Sequence, residues 1–259
     1  DLNINPELIE RAITKKTKAI MPVHWSGKIC QMDKIIKISK KYKLPIIEDS
    51  AQGMGSYYNN IHAGNFGDVA AFSAHPLKNL NALGDSGFIT TNNKKIYEKI
   101  KLYRNHGIKS RDNVVMFGVN SRLDSLHAEI LSYRLNNLKK IILKRRQNIN
   151  LYSKYITTNK VVLPKDNYNT HDSYVMMISK CTNRNKLQKF LEQKGIQSLI
   201  YYGTPLHLHK ASKKLGYKKG DFPNAEKLCG KVLSFPHHQY LSKKQVIYIS
   251  KKINEFYEN

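Results

Sequence analysis

Lys78 and Asp49 are the two residues of this sequence whose side chains are best placed to do chemistry. Lys78 lies on a loop that follows an apolar strand, where a lysine amine can have a lowered pKa and act as a nucleophile. Asp49 ends another apolar run, where a carboxylate can hold a positively charged group of a ligand. Each residue also has an ordinary interpretation, since Asp49-Ser50 suits a helix cap and the chain holds 44 lysines and arginines.

The order of the reactive groups along the chain is more specific than either residue alone. Asp49 comes first, Ser73 and Lys78 follow in a Ser-x-x-x-x-Lys pattern, and the turn Gly84-Asp85-Ser86-Gly87 comes last. A pyridoxal phosphate (PLP) enzyme needs a lysine for covalent attachment of the cofactor and an acidic partner for its ring nitrogen. We therefore expect Lys78 and Asp49 to lie on neighbouring strand ends and to face one bound ring.

The segments that must position these residues alternate between strands and helices. The spacing of apolar and charged residues predicts helices over 6–14, 32–42 and 94–103, with Asn5 capping the first. Short apolar runs predict strands over 18–23, 44–49, 68–73 and 87–91. A long helical stretch is predicted over 123–155. This alternation indicates an α/β fold with a mostly parallel sheet and crossover helices.

The pattern changes after Tyr155. Strands are predicted over 174–179 and 196–201, and helices over 185–194, 222–232 and 242–257. Gly195 ends the first of these helices. The mixture predicts a smaller α+β domain, so we divide the chain into a large domain over 1–150 and a small carboxyl-terminal domain over 151–259.

The composition predicts a globular protein with a strongly basic surface. Hydrophobic residues make up 41% of the chain, enough for a core, and the net charge is +25. The lysines occur mostly as scattered pairs, and no block of five or six like charges appears. We therefore favour a solvated, Lys-rich surface and expect no nucleic-acid partner, although a positive potential would also favour an anionic substrate.

Cysteine usage and hydropathy favour a cytoplasmic protein. The three cysteines are widely spaced and form no Cys-x-x-Cys pattern, which is typical of free thiols in a reducing compartment. No His/Cys/carboxylate cluster has the spacing of metal ligands, so we expect no metal site. No apolar run approaches the length of a membrane span, and no signal peptide is visible.

Several collinear motifs resemble those of the DegT/DnrJ/StrS family of PLP-dependent sugar aminotransferases, and together they cover essentially the whole chain. They are Pro22-Val23-His24 with Gly27, Glu48-Asp49-Ser50-Ala51-Gln52, the loop from Phe72 to Leu80, Gly84-Asp85-Ser86-Gly87, Arg104-Asn105-His106-Gly107, the segment from Gly118 to Asp124, Thr204-Pro205-Leu206-His207, and the segment from Gly220 to Glu226.

The resemblance implies a role for four residues at the cofactor. Lys78 would link covalently to PLP and then move the proton between the substrate carbon and the cofactor carbon. Asp49 would pair with the ring nitrogen and keep it protonated, and Gln52 would lie against the ring and its phenolic oxygen. Ser73 would bind the cofactor phosphate. The implied fold is the aspartate-aminotransferase-like PLP fold type I, with a smaller α+β carboxyl-terminal domain.

The resemblance also implies a homodimer with shared active sites. Asn120, and less directly Arg122, would reach the phosphate or substrate site of the neighbouring subunit. The roles of His75, Tyr202 and His207 stay open, and we favour structural contacts for the histidines His24, His75 and His106.

The implied reaction transfers an amino group from glutamate to a nucleotide-linked keto sugar, giving an amino sugar for surface polysaccharide. The resemblance leaves the nucleotide sugar open, and also whether carbon 3 or carbon 4 receives the amine, although Asp85 inclines us to a 3-keto sugar. A sugar dehydratase of the same family would lack the lysine, so Lys78 argues against it. A truncated non-catalytic or regulatory member of the family is the remaining alternative.

The sequence opens as if in mid-protein. It has no initiator methionine, and the resemblance places an earlier segment, with a phosphate-cradling turn and an aromatic that stacks on the ring, ahead of Asp1. We therefore expect the chain as given to bind PLP weakly.

Overall fold

The computed structural model describes residues 2–167 and 169–258. Within these residues the α-helices are α1 (Pro6–Ala12), α2 (Met32–Tyr42), α3 (Lys94–Tyr103), α4 (Ser125–Leu135), α5 (Leu138–Tyr155), α6 (Arg184–Gln193), α7 (Pro223–Cys229) and α8 (Lys243–Glu258). The strands are β1 (Ile47–Asp49), β2 (Tyr57–Tyr58), β3 (Ile61–His62), β4 (Val69–Ser73), β5 (Gly87–Thr90), β6 (Ile108–Ser110), β7 (Asn113–Val114), β8 (Val161–Val162), β9 (Thr170–His171), β10 (Met177–Cys181) and β11 (Val232–Phe235).

The chain forms two compact units. The first comprises Asp1–Ile142 and Asp166–Val175, and the second comprises Leu143–Lys165 and Met176–Asn259. Residue 150, where we placed the domain boundary, lies inside helix α5. Within the described residues, no helix has the length and apolar character that crossing a membrane requires.

The sheet of the first unit carries the predicted site residues at its strand ends. Its order is β1-β4-β5, with β1 parallel to β4 and β5 antiparallel to β4. The predicted strand over 18–23 joins this sheet only through two parallel bridges, from Ile20 to Ile46 and from Val23 to Asp49. Because β1 and β4 run in the same direction, their carboxyl ends, Asp49 and Ser73, lie at the same edge of the sheet.

Two clusters of buried residues hold this sheet in place. Helix α2 directs Met32, Ile35 and Ile38 into the first cluster, and the predicted helix over 32–42 is therefore confirmed with its amphipathic face inward. The second cluster contains Ala74, Leu80, Ala82, Leu131, Leu138 and Ile142. Since three of its members lie on the loop around Lys78, burial of apolar side chains restrains the loop on both sides of that lysine.

The second unit is built on an antiparallel sheet. Its order is β11-β10-β8, and both strand pairs are antiparallel. Helices α6 and α8 bury apolar residues of this unit, among them Leu187, Leu191, Val246 and Ile253. The predicted mixture of strands and helices after Tyr155 is therefore present.

Four sequence-based elements are corrected by the structure. The long helix predicted over 123–155 is two helices, interrupted at Asn136-Asn137, because Asn side chains compete for backbone hydrogen bonds. The helix predicted over 222–232 ends at Cys229, and a strand that we did not predict, β11, follows. The strand predicted over 174–179 begins only at Met177. The strand predicted over 196–201 is reduced to one bridge between Leu199 and Ser234.

Gly107 is a position where we expect a large loss of stability on substitution. Its φ is +72°, and an added Cβ would overlap the carbonyl oxygen of Met116. Gly195 has a similar φ of +73° but open space around it. We expect Gly107→Ala to lower the free energy of unfolding by more than about 3 kcal/mol. The matched Gly195→Ala control should lose only about 1–2 kcal/mol, the usual cost of the left-handed conformation. Denaturant unfolding of both variants measures the difference, and equal losses would contradict the role of the Met116 contact.

Candidate active site

Asp49 is held firmly at the end of β1. Its backbone N–H donates to the carbonyl of Pro22 at 2.9 Å, and its own carbonyl accepts from the N–H of His24 at 3.1 Å. The carboxylate oxygen Oδ1 accepts from the N–H of Ala51 at 3.1 Å, which is the capping contact that we considered as an ordinary interpretation. The side chain is partly buried, so the carboxylate is fixed by the backbone without being sealed off.

Lys78 lies in a turn on the loop between β4 and β5. Its N–H donates to the carbonyl of His75 at 2.8 Å, and its carbonyl accepts from Asn81 Nδ2 at 2.7 Å. Burial lowers the pKa of the Lys78 amine below its ordinary value, and the negative charge of Asp49 partly offsets this effect. Lys78 lies on the loop that follows β4, and Asp49 ends the neighbouring parallel strand β1.

Gln52 is oriented by a neighbouring turn. The short 3-10 helix Trp25–Gly27 directs the backbone N–H of Ser26 at the side-chain oxygen of Gln52. Ser26 adopts a left-handed conformation with φ of +61°, which turns its N–H in this direction. An amide whose oxygen is used in this way has its NH2 group left as a donor. Gln52 is therefore prepared to donate to an acceptor beyond β1.

Ser73 is the last residue of β4 and pairs with Gly87 of β5. Its hydroxyl oxygen accepts from the N–H of His75 at 3.3 Å. Asp49 is aligned with Ala71, and strand side chains alternate in direction, so Ser73 and Asp49 point to the same face of the sheet. Ser73, Asp49 and Lys78 are therefore grouped at one edge, as the sequence predicted.

Asn120 and Arg122 lie on an exposed segment between β7 and α4. Arg122 Nε donates to Asn120 Oδ1 at 3.1 Å, and Arg104 Nε donates to the carbonyl of Ser121 at 3.0 Å. The predicted role of Asn120 in a neighbouring subunit stays a prediction.

A cleft of about 780 Å³ lies on the exposed face of the same sheet. Ala71, Ile89 and Tyr97 are among its apolar walls, and Lys101 and Arg104 contribute positive charge. Neither Asp49 nor Lys78 lines it, so its shape says nothing about the chemistry of that pair.

The histidines singled out by the sequence are in different surroundings. His24 is completely buried, and its Nε2 lies 2.9 Å from Oε2 of Glu48. His75 is partly buried in the lysine loop, where its Nδ1 accepts from the N–H of Leu77 at 3.1 Å. In the second unit, His207 Nε2 lies 3.1 Å from Glu226 Oε1, and Tyr202 is exposed.

Glu48 is the residue near the site that sequence reasoning missed. It is fully buried, although we treated it as the end of a strand and as part of the Glu48–Gln52 motif and gave it no role of its own. The available signal was its position two residues after Ile46, which puts it on the buried face of an apolar strand. A lone carboxylate on such a face must be hydrogen-bonded, because burying an unpaired charge is costly.

Comparisons with known proteins agree on one family. The sequence model of the DegT/DnrJ/EryC1/StrS aminotransferase family matches residues 1–254. The chain is 38% identical to the "pleiotropic regulatory protein" of Geobacillus stearothermophilus, over 99% of this chain and 70% of that protein. It is 37% identical to dTDP-3-amino-3,6-dideoxy-alpha-D-galactopyranose transaminase of Aneurinibacillus thermoaerophilus, over 98% of this chain and 69% of that protein.

The fold is also similar to that of a solved relative. The crystal structure of DesV from S. venezuelae superposes with a TM-score of 0.96 at 31% identity, covering 99% of this chain and 70% of that one.

Proposed function

Because the chain belongs to the DegT/DnrJ/EryC1/StrS aminotransferase family, we propose that it transfers an amino group from glutamate to a nucleotide-linked keto sugar, with PLP as its cofactor. The observation that carries this proposal is the placement of Asp49 and Ser73 at one edge of the sheet, with the partly buried Lys78 on the loop that follows Ser73. An amine nucleophile and a carboxylate at neighbouring strand ends are the two groups that a PLP ring requires of a protein.

The residues at this edge of the sheet fit the cofactor. When bound, PLP supplies an electron-poor ring that stabilises negative charge developing on the substrate carbon. Lys78 and Asp49 would hold its aldehyde carbon and its ring nitrogen. Gln52 has a free NH2 group to donate to the phenolic oxygen, since its own oxygen is used by Ser26. The hydroxyl of Ser73 would donate to the phosphate.

Lys78 performs the proton transfers in this scheme. Its lowered pKa increases the fraction of neutral amine at physiological pH, and only the neutral amine can attack a carbonyl or accept a proton. The restrained loop around it keeps the amine within reach of one carbon atom. The negative charge of Asp49 partly offsets the lowering of the Lys78 pKa by burial. The amine can therefore also hold a proton that it has accepted.

Asp49 supplies a fixed negative charge to the ring nitrogen. Its main chain is held by Pro22 and His24, and its carboxylate accepts a hydrogen bond from the N–H of Ala51. A carboxylate next to a cation favours the charged form, which keeps the nitrogen protonated.

We propose a sugar nucleotide aminated at carbon 3 as the product. The support is the Asp85 turn and the name of the A. thermoaerophilus relative, a transaminase for a 3-amino sugar linked to dTDP. The net charge of +25 favours the approach of an anionic nucleotide. Glutamate is the proposed donor.

We propose that the active form is a homodimer in the cytoplasm. Apolar side chains are exposed immediately before Asn120, including Phe117 at 99% exposure with Val114 and Val115. Such an exposed apolar patch is typical of a protein interface, and it would bring Asn120 to the partner's site. Cys30, Cys181 and Cys229 are free thiols, which fits a reducing compartment.

A regulatory protein without catalysis is the second candidate, because the G. stearothermophilus relative carries a regulatory name. Such a protein would have no need of a partly buried lysine next to a carboxylate, so Lys78 and Asp49 favour the enzyme.

One experiment separates the two candidates. The full-length protein, loaded with PLP, should be yellow and should lose its visible absorbance on adding glutamate. In a separate sample without glutamate, borohydride should fix the cofactor to a peptide containing Lys78, located by mass spectrometry. A panel of 3-keto and 4-keto sugar nucleotides should restore the absorbance, with the 3-keto sugars most effective. The enzyme interpretation is wrong if the adduct is absent or lies on another lysine.

A further inference from the structure

The carboxylate of Glu48 lies directly behind Asp49 in β1 and is completely buried. Neighbouring residues of a strand point to opposite faces, so Glu48 points into the protein while Asp49 points to the candidate site. Its two oxygens accept four hydrogen bonds. The donors are His24 Nε2 at 2.9 Å and the backbone amides of Gly64, Phe66 and Gly67 at 2.7, 2.8 and 2.6 Å.

Glu48 is ionised within this set of donors. Burial alone would raise its pKa, but the hydrogen bonds from His24, Gly64 and Gly67 lower the pKa below its ordinary value. His24 Nδ1 accepts the N–H of Cys30 at 3.3 Å, so the imidazole proton is on Nε2 and is donated to Glu48.

The other titratable groups that interact with Glu48 do not neutralise it. Burial raises the pKa of the Cys30 thiol to about 12 and lowers the pKa of His62. Both groups are therefore uncharged at neutral pH, and His24 is the titratable side chain that contacts the Glu48 carboxylate directly.

The same contacts connect the segments that form the site. The backbone N–H of His24 donates to the carbonyl of Asp49, so one residue holds both the Glu48 side chain and the Asp49 main chain. The loop that supplies the three amides leads directly into β4, which ends at Ser73. Loss of the Glu48 carboxylate would leave three buried N–H groups without an acceptor.

We propose that Glu48 and His24 form a positioning pair for Asp49, which fixes the end of β1 and places a buried negative charge behind the Asp49 carboxylate. This inference rests on the proposed function, in which Asp49 keeps the ring nitrogen of PLP protonated. The buried carboxylate of Glu48 adds negative charge next to Asp49 in β1 and thereby stabilises that proton, because a protein interior screens charge less than water does.

The ring nitrogen itself provides the test. PLP labelled with ¹⁵N at the ring nitrogen is loaded into the full-length protein, and its NMR shift is followed against pH without substrate. We expect Glu48→Gln to lower the pH at which the nitrogen loses its proton by about one unit, a tenfold change in its proton affinity. Asp172→Asn is the matched control, because Asp172 is equally buried and is bonded to Lys28 and the Ile29 amide. It should lower the melting temperature but leave the titration unchanged.

Substitutions of His24 keep the inference testable if Glu48→Gln does not fold. His24→Ala should move the titration in the same direction as Glu48→Gln, whereas His24→Gln, which keeps a donor, should restore most of the parent behaviour. The inference is overturned if PLP-loaded Glu48→Gln or His24→Ala protein has a lower melting temperature but an unchanged titration of the ring nitrogen. The role of the pair would then be purely structural. A parent without a borohydride adduct on Lys78 would instead refute the proposed function, and this inference with it.

Discussion

A Lys78→Ala protein is expected to lose covalent attachment of PLP and to transfer amino groups about 10⁴-fold more slowly than the parent. The expected loss is large because the Lys78 amine has two functions. It links covalently to the cofactor, and it then moves the proton at the substrate carbon. Borohydride trapping followed by mass spectrometry measures the first loss, and steady-state transfer from glutamate measures the second.

Two controls make the Lys78 result specific. Lys99→Ala removes an exposed lysine from α3 and should leave both the adduct and the rate unchanged. Added methylamine should restore part of the rate of Lys78→Ala, because a small primary amine can enter the space left by the side chain and replace its function. If Lys78→Ala retains the parent's rate, the assignment of Lys78 is incorrect and the enzyme uses another group.

An Asp49→Asn protein should still carry the covalent adduct on Lys78 but should transfer amino groups about 100-fold more slowly, the loss corresponding to one strong charge-assisted hydrogen bond. The amide has the same shape as the carboxylate but lacks the negative charge that holds the proton on the ring nitrogen. The site should therefore bind PLP but activate it poorly. The rate of amino transfer and the ¹⁵N shift of the ring nitrogen should change together.

Asp33→Asn is the matched control for Asp49. Asp33 begins helix α2 on the surface and accepts from the hydroxyl of Tyr58 at 2.7 Å, away from the strand ends. This variant should keep the parent's rate and ring titration. An Asp49→Asn protein with a normal rate and a protonated ring nitrogen would show that another group holds that proton.

Sequence patterns predicted correctly those elements that depend on periodicity and capping within a few neighbouring residues. Helices α2 and α3 begin and end where the spacing of apolar and charged residues placed them. The cap of α1 is also as expected, since Asn5 accepts from the N–H of Glu7 at 3.0 Å. Periodicity and capping act within a few residues, so the sequence contains the whole signal.

Elements that depend on distant partners were predicted less well. The segment over 196–201 has the composition of a strand, but only Leu199 finds a partner, Ser234. Strand β11 was missed because we extended the preceding helix to Val232, the first residue of the strand, and assigned nothing to the three residues that follow. Whether such an apolar run forms a strand or a helix depends on its pairing partner, here β10, about fifty residues earlier in the chain.

The sequence by itself determined which reactive groups this protein has and in which order they follow the strands. Asp49, Ser73 and Lys78 could be grouped because parallel strands end at one edge of a sheet, a rule that needs no coordinates. Only the tertiary structure decided how strongly these groups interact and which residues hydrogen-bond to them or pack around them. The buried Glu48 is bonded by His24 and by amides of residues 64–67, and the loop around Lys78 packs against apolar residues from two helices further along the chain. The burial and the electrostatic surroundings of a side chain depend on the residues packed around it. Those residues are distant along the chain, so no local sequence pattern predicts them.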